Sequence, residues 1–283
     1  MTALPARVLL AGGYRNDVWK VRSANGYVIE KHYAEDPGSP NPMYPNLPDH
    51  EAHALAHLAG TGCAPELVSY RTAHDREGAQ VVYRFVAGTR WRRGTADVAR
   101  LLHVVHHLPA PRGMRRLHRS ATEALAHADE VVADTSSAVA RARMAAARPS
   151  GPAGRPVRRP SLVHTDCGPG YLVRSRDGLV LIDWQCPGVG DAVEDIACFL
   201  SPAMMILYSA APHGATARSA FLEAYDDAGV VERYHRDGPA WHYRIASYCV
   251  WRAHSLAGRQ PEIAARYNAA LAAELAFLAA WPT

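Results

Sequence analysis

The sequence predicts an α+β fold in which a small antiparallel sheet precedes a larger, mostly helical part. Two observations predict the sheet. Residues 7–33 read as three strands: Arg7 to Ala11, an alternating Val18-Trp19-Lys20-Val21, and Tyr27 to Tyr33 after the hairpin signal Ala24-Asn25-Gly26. Leu67-Val68-Ser69-Tyr70 and residues 79–86 then read as two more strands flanking a polar turn. The third observation is helical: residues 95–147 carry a helical pattern rich in Ala, Leu, His and Arg, and the pattern resumes after residue 190.

Composition narrows the function classes. With 283 residues, 48% apolar and 20% charged, the chain can bury a large core as one domain or two lobes. A net charge of +4 is too small for a dominant nucleic-acid footprint, so no nucleic-acid partner is expected. Five scattered cysteines (63, 167, 186, 198 and 249) with no CxxC pair point to reduced thiols in a cytoplasmic protein. No signal peptide is evident at the N-terminus. The longest apolar stretch, Ile196 to Pro212, is broken by Ser201, Pro202 and Ser209, so no membrane span is expected.

Along the chain, alternation puts Tyr27, Ile29, Lys31 and Tyr33 on one face of a strand. A lysine in line with apolar side chains is unusual, although an edge strand would let it snorkel to water. Residues 34–48, rich in Pro, Gly and Asn, read as a loop, and 49–59 as a helix with Asp49 as its cap and Glu51 in its first turn. His50-Glu51-x-His53 misses the HExxH zinc spacing, because position 54 is Ala. His103, His106 and His107 read as surface residues, and Pro149 to Pro160 as a basic connecting loop. Trp241, Tyr248 and Trp251 share a helical face that is better read as core than as a cation-binding surface.

The densest chemistry lies between Pro160 and Leu200. Ser161-Leu162-Val163 leads into His164-Thr165-Asp166, and Leu179-Val180-Leu181-Ile182 into Asp183-Trp184. A carboxylate at the end of an apolar strand is either a turn former and helix cap or a group that meets a cation. Two such carboxylates joined by a hairpin could converge on a metal-bound phosphate.

Three blocks in this stretch resemble those of the aminoglycoside phosphotransferase and choline kinase group of small-molecule kinases. They are His164-Thr165-Asp166-Cys167-Gly168-Pro169-Gly170-Tyr171, Leu181-Ile182-Asp183-Trp184 and Gly190-Asp191-Ala192-Val193-Glu194-Asp195-Ile196-Ala197. The resemblance implies a two-lobed protein-kinase-like fold: a nucleotide-binding lobe over 1–87 and a catalytic, substrate-binding helical lobe over 88–283. It implies ATP (or GTP) and Mg²⁺ as cofactors and a small-molecule hydroxyl (amino alcohol, aminoglycoside or sugar-like) as acceptor. Asp166 would be the catalytic base, Asp183 the metal ligand, and Lys31, set by Glu51, the phosphate partner. Gly12 and Gly13 would cover the phosphates, Ile29 would line the adenine pocket, and the backbone of Arg84, Phe85 and Val86 would meet the base. Asp195 would hold the catalytic loop.

Two positions depart from the family pattern. Thr165 stands where the family has glycine, a mild change. Tyr171 stands where it has a metal-binding asparagine, with Gln185 a nearby candidate to substitute. The alternative is therefore a catalytically impaired member, a pseudokinase acting as a nucleotide-binding or regulatory module.

Overall fold

A computed structural model describes residues 7–10, 16–33, 41–73, 78–150 and 155–282. The expected phosphate-covering Gly12 and Gly13 lie outside the described residues. The chain divides into two compact units. The first comprises Met1–Trp91, Pro111–Arg115 and Tyr171–Pro187; the second comprises Arg92–Ala110, Arg116–Gly170 and Gly188–Thr283.

In the first unit, β1 (Arg7–Leu9), β2 (Asn16–Ser23), β3 (Gly26–Tyr33), β4 (Leu67–Arg71) and β5 (Gln80–Arg84) form an antiparallel sheet in the order β1-β2-β3-β5-β4. The β2–β3 hairpin closes on Ala24-Asn25-Gly26, with Gly26 at φ +105°, a conformation glycine adopts without a Cβ clash. Register sets Lys31 between Val18 and Val81, and Ile29 between Lys20 and Tyr83. β3 is thus a central strand, not an edge, and Lys31 is buried with no path to snorkel. Helix α1 (Pro48–His57) begins one residue before the expected cap: Pro48 takes the first helical position, where its missing N–H costs nothing, and Leu47 precedes it. A second sheet joins β6 (Thr89–Arg90) to the later hairpin of β8 (Leu172–Arg174) and β9 (Leu179–Leu181), the hairpin that leads to Asp183.

The second unit is mostly helical: α2 (Thr95–His107), α3 (Ala121–Ala133), α4 (Ala138–Ala147), α5 (Val193–Leu200), α6 (Pro202–Leu207), α7 (Ala215–Ala224), α8 (Ala228–Leu256) and α9 (Pro261–Ala279). Between α4 and α5 a short strand β7 (Ser161–Val163) pairs with β10 (Gly188–Gly190). Helix α8 packs on α3, α5 and α9, while α2 packs on α7. Trp241, Tyr248 and Trp251 of α8 are buried, so the aromatic face is core, with the Trp251 indole donating to Asp134 at 2.9 Å. His106 departs from expectation: it is buried, because it falls on the same helical stripe as Val98, Leu102 and Val105. All five cysteines are buried free thiols. Among the described residues no helix is long and apolar enough to cross a membrane.

Candidate functional site

The candidate site residues fall into two clusters, one in each unit. In the first unit, β3 brings Lys31, the first turn of α1 brings Glu51, and the turn after β9 brings Asp183. The Lys31 ammonium lies 2.9 Å from Glu51 Oε2 and donates directly to Asp183 Oδ1, a contact spanning 152 residues of sequence. Tyr33 donates its hydroxyl to the same Glu51 oxygen. Lys31 and Glu51 are essentially inaccessible, whereas the Asp183 side chain is 23% exposed. A buried ammonium is tolerated here because two carboxylates meet it. Burial alone would lower the Lys31 pKa, but Asp183 and Glu51 hold it well above the ordinary lysine value, so it stays charged. Burial raises Glu51 despite Lys31 beside it, and burial with the adjacent Glu51 charge pushes Tyr33 up. Glu51 Oε1 is buried, with no hydrogen-bond partner among the described residues.

The segment carrying Asp183 is firmly tied. Trp184 is fully buried and donates to Leu181 O at 2.8 Å, and Arg115 donates to Pro187 O at 2.9 Å. Gln185 accepts from Asn16 on its side chain at 3.3 Å and from the Leu47 N–H on its backbone at 2.9 Å. Asp183 itself sits at φ +66°, a left-handed turn that a short polar side chain tolerates better than a bulky one. Tyr171 closes a 3₁₀ turn, and its carbonyl accepts from the Ile182 N–H at 2.8 Å. For a divalent ion, Asp183 is the carboxylate of this cluster in reach of solvent. Mg²⁺ characteristically takes one or two carboxylates with phosphate oxygens and waters, so this donor set fits it. No cluster of three or more His, Cys, Asp or Glu that could cage a metal occurs among the described residues. Ile29 is buried on the Lys31 face, and Phe85 donates its N–H to Tyr27 O at 3.0 Å beside Arg84 and Val86.

In the second unit the loop after β7 carries His164, Thr165 and Asp166. Asp195, near the start of α5, accepts the His164 N–H on Oδ2 and the Thr165 N–H on Oδ1, each at 2.8 Å. His106 of α2 meets Asp195 Oδ2 at 3.1 Å and the Tyr225 hydroxyl at 2.7 Å. Burial would raise Asp195, but His106, His164 and the loop N–H groups outweigh it and hold its carboxyl below the usual range. Asp191 is occupied elsewhere, in a two-pronged pair with Arg233. Asp166 is 7% exposed; its N–H donates to His164 Nδ1 at 3.2 Å, and its Oδ1 accepts from the Tyr208 hydroxyl at 2.9 Å. Sequence reasoning missed His106 and Tyr208. The buried stripe of α2 could have found His106; Tyr208, in no motif and 42 residues past Asp166, had no signal.

A family model described as "Phosphotransferase enzyme family" matches residues 7–236. Among solved structures the chain is similar to choline kinase LicA from Streptococcus pneumoniae, with 16% identity, 97% of this chain and 95% of that one covered, and a TM-score of 0.63. It is similar to a choline/ethanolamine kinase family protein from Mesorhizobium loti (17% identity, 98% and 88% covered, TM-score 0.62). It is also similar to a spectinomycin phosphotransferase in complex with ADP and spectinomycin (12% identity, 96% and 92% covered, TM-score 0.58). No curated protein sequence matches the chain. At these identities the likeness shows the fold, which is kinase-like with a small antiparallel sheet followed by a helical part.

Proposed function

Because the chain belongs to the phosphotransferase enzyme family, we propose that it moves the γ-phosphoryl group of ATP or GTP to a hydroxyl of a small molecule. The observation that carries this is the buried cluster of Lys31, Glu51 and Asp183, drawn from three distant segments around one ammonium. A fold has little stability reason to bury a lysine between two carboxylates, since an apolar trio of similar volume would serve as well. With MgATP bound, Lys31 would turn from Asp183 to phosphate oxygens, and Asp183 would hold Mg²⁺. Bound Mg²⁺ would offset the charge that builds on the phosphoryl oxygens. Glu51 keeps Lys31 aimed in either state. Ile29 would face the base, and Arg84 to Val86 would meet it through backbone groups.

Asp166, on the loop held by Asp195, would orient the acceptor hydroxyl and accept its proton. The acceptor oxygen forms a bond to the γ-phosphorus, the bond to the β-phosphate oxygen breaks, and the nucleoside diphosphate leaves. Almost all the acceleration then comes from positioning and electrostatics. Tyr171 favours a second reading. A phenol, with a pKa of about 10, is a poor Mg²⁺ ligand beside an amide oxygen, which would leave an impaired, nucleotide-binding member.

The test is nucleoside diphosphate release with ATP or GTP, Mg²⁺ and a panel of amino alcohols, aminoglycosides and sugars. Turnover with one class supports the enzyme and names the acceptor. Silence in the native chain with recovery in Tyr171→Asn supports the impaired member. Silence in both contradicts phosphotransfer.

A further inference from the structure

Tyr208 caps the C-terminus of α6, in the same unit as the loop running from His164 to Gly170. Its hydroxyl donates to Asp166 Oδ1 at 2.9 Å. Its ring is seated on the two glycines of that loop. A Cβ at Gly168 would lie 2.3 Å from Tyr208 Cε2, and one at Gly170 would lie 2.5 Å from Cδ1. Real side chains do not approach so closely, so only glycine at both positions admits the ring. The backbone beneath is fastened as well. Arg266 of α9 donates to Leu207 O at 2.8 Å and to Ser209 Oγ at 3.1 Å, and the Ala210 N–H donates to Met205 O at 2.8 Å. Ring, hydroxyl and main chain are thus fixed independently, which is more than packing alone requires.

We propose that Tyr208 is the positioning residue of Asp166, fixing the rotamer in which its carboxylate meets an acceptor hydroxyl. The phenol keeps its proton throughout. Because it donates to the ionised carboxylate, it also favours that form over the neutral acid. The inference rests on the role proposed above for Asp166, but the contact itself can be tested without it.

The experiment is a ¹³C NMR titration of the aspartate carboxyl carbons in the full chain, with the Asp166 signal identified by its loss in Asp166→Asn. No nucleotide or acceptor is added. Tyr208→Phe keeps the seated ring and deletes only the hydroxyl. Other groups near Asp166 include His164 and Cys167 on its own loop, Cys198 of α5 and Tyr267 of α9, with Asp195 holding the loop backbone; all are unchanged in this variant. The expected result is an Asp166 midpoint about one pH unit higher in Tyr208→Phe. Gly170→Ala, which displaces the ring without touching the phenol, should give the same rise, and the double variant should add nothing further. A second arm follows ADP release with MgATP. Tyr208→Phe should lower kcat about tenfold while KM for ATP stays within about twofold, a split that loose packing would not give. An unmoved midpoint, or a kcat equal to or above that of the native chain, overturns the proposal. A moved midpoint with no nucleoside diphosphate release, from ATP or GTP, in either the native chain or Tyr171→Asn would uphold the contact and contradict phosphotransfer instead.

Discussion

Thr165 holds a φ of +73°, and Asp183 one of +66°. The left-handed region is open to glycine and tolerable for aspartate, but it crowds the branched Cβ of threonine. Strain of this kind costs roughly 1–3 kcal/mol and persists where the surroundings impose it. At Thr165 the imposing group is Asp195, whose two oxygens take the N–H groups of His164 and Thr165. The substitution that looks mild in sequence is therefore strained in the fold. Thr165→Gly is expected to raise stability by about 1 kcal/mol, since the relief exceeds glycine's entropic cost of roughly 0.5–1 kcal/mol. Differential scanning calorimetry should record a rise of about 2–4 °C for a chain of this size. A fall of similar size would mean that the Thr165 side chain contributes more than its backbone costs.

At the scale of elements, α2 and α5 together clamp the loop that carries Asp166. His106 from one helix meets Asp195 from the other, and Asp195 in turn holds two backbone N–H groups. Because the Asp195 carboxyl lies below its usual range, its contribution to stability is present above the ordinary aspartate pKa and is lost as pH falls through the lower folded value. Asp195→Asn should cost about 3 kcal/mol near neutral pH, and the gap to the native chain should narrow as pH falls below about 4. Urea unfolding across a pH series measures this; a gap independent of pH would show that the charge plays no part.

The same elements show what could be read beforehand. The β2–β3 hairpin, β4, β5 and the β8–β9 hairpin were legible because alternation and Asn-Gly or Asp-Gly turns are local signals. Asp166 and Asp183 stood out in the ordered motif blocks, Lys31 by strand alternation and Glu51 by its place in a helix's first turn; the structure brings Lys31 together with Glu51 and Asp183. The centrality of β3, which buries Lys31, was not legible, because strand order depends on pairings between distant segments. The Tyr208 contact was hidden for the same reason: Asp166 lies 42 residues back, and nothing local marks Tyr208 itself.

Over the whole molecule, the chain returns to the first unit at Tyr171–Pro187 after entering the second, and that return supplies Asp183. Lys31, Glu51 and Asp183 therefore form one folded unit, in which the ammonium is already paired before any nucleotide arrives. A nucleotide that drew Lys31 from Asp183 while Glu51 held it would bind the folded chain only, and so would stabilise it by mass action. At a hundredfold excess over Kd the gain is about 2.7 kcal/mol, several degrees in Tm. The most direct measurement is the melting temperature of the native chain and of Asp183→Asn with ATP or GTP, each with and without Mg²⁺. The account predicts a rise of several degrees with one nucleotide, larger with Mg²⁺ in the native chain and insensitive to Mg²⁺ in Asp183→Asn. No rise with either nucleotide, or the same Mg²⁺ dependence in both chains, would contradict it.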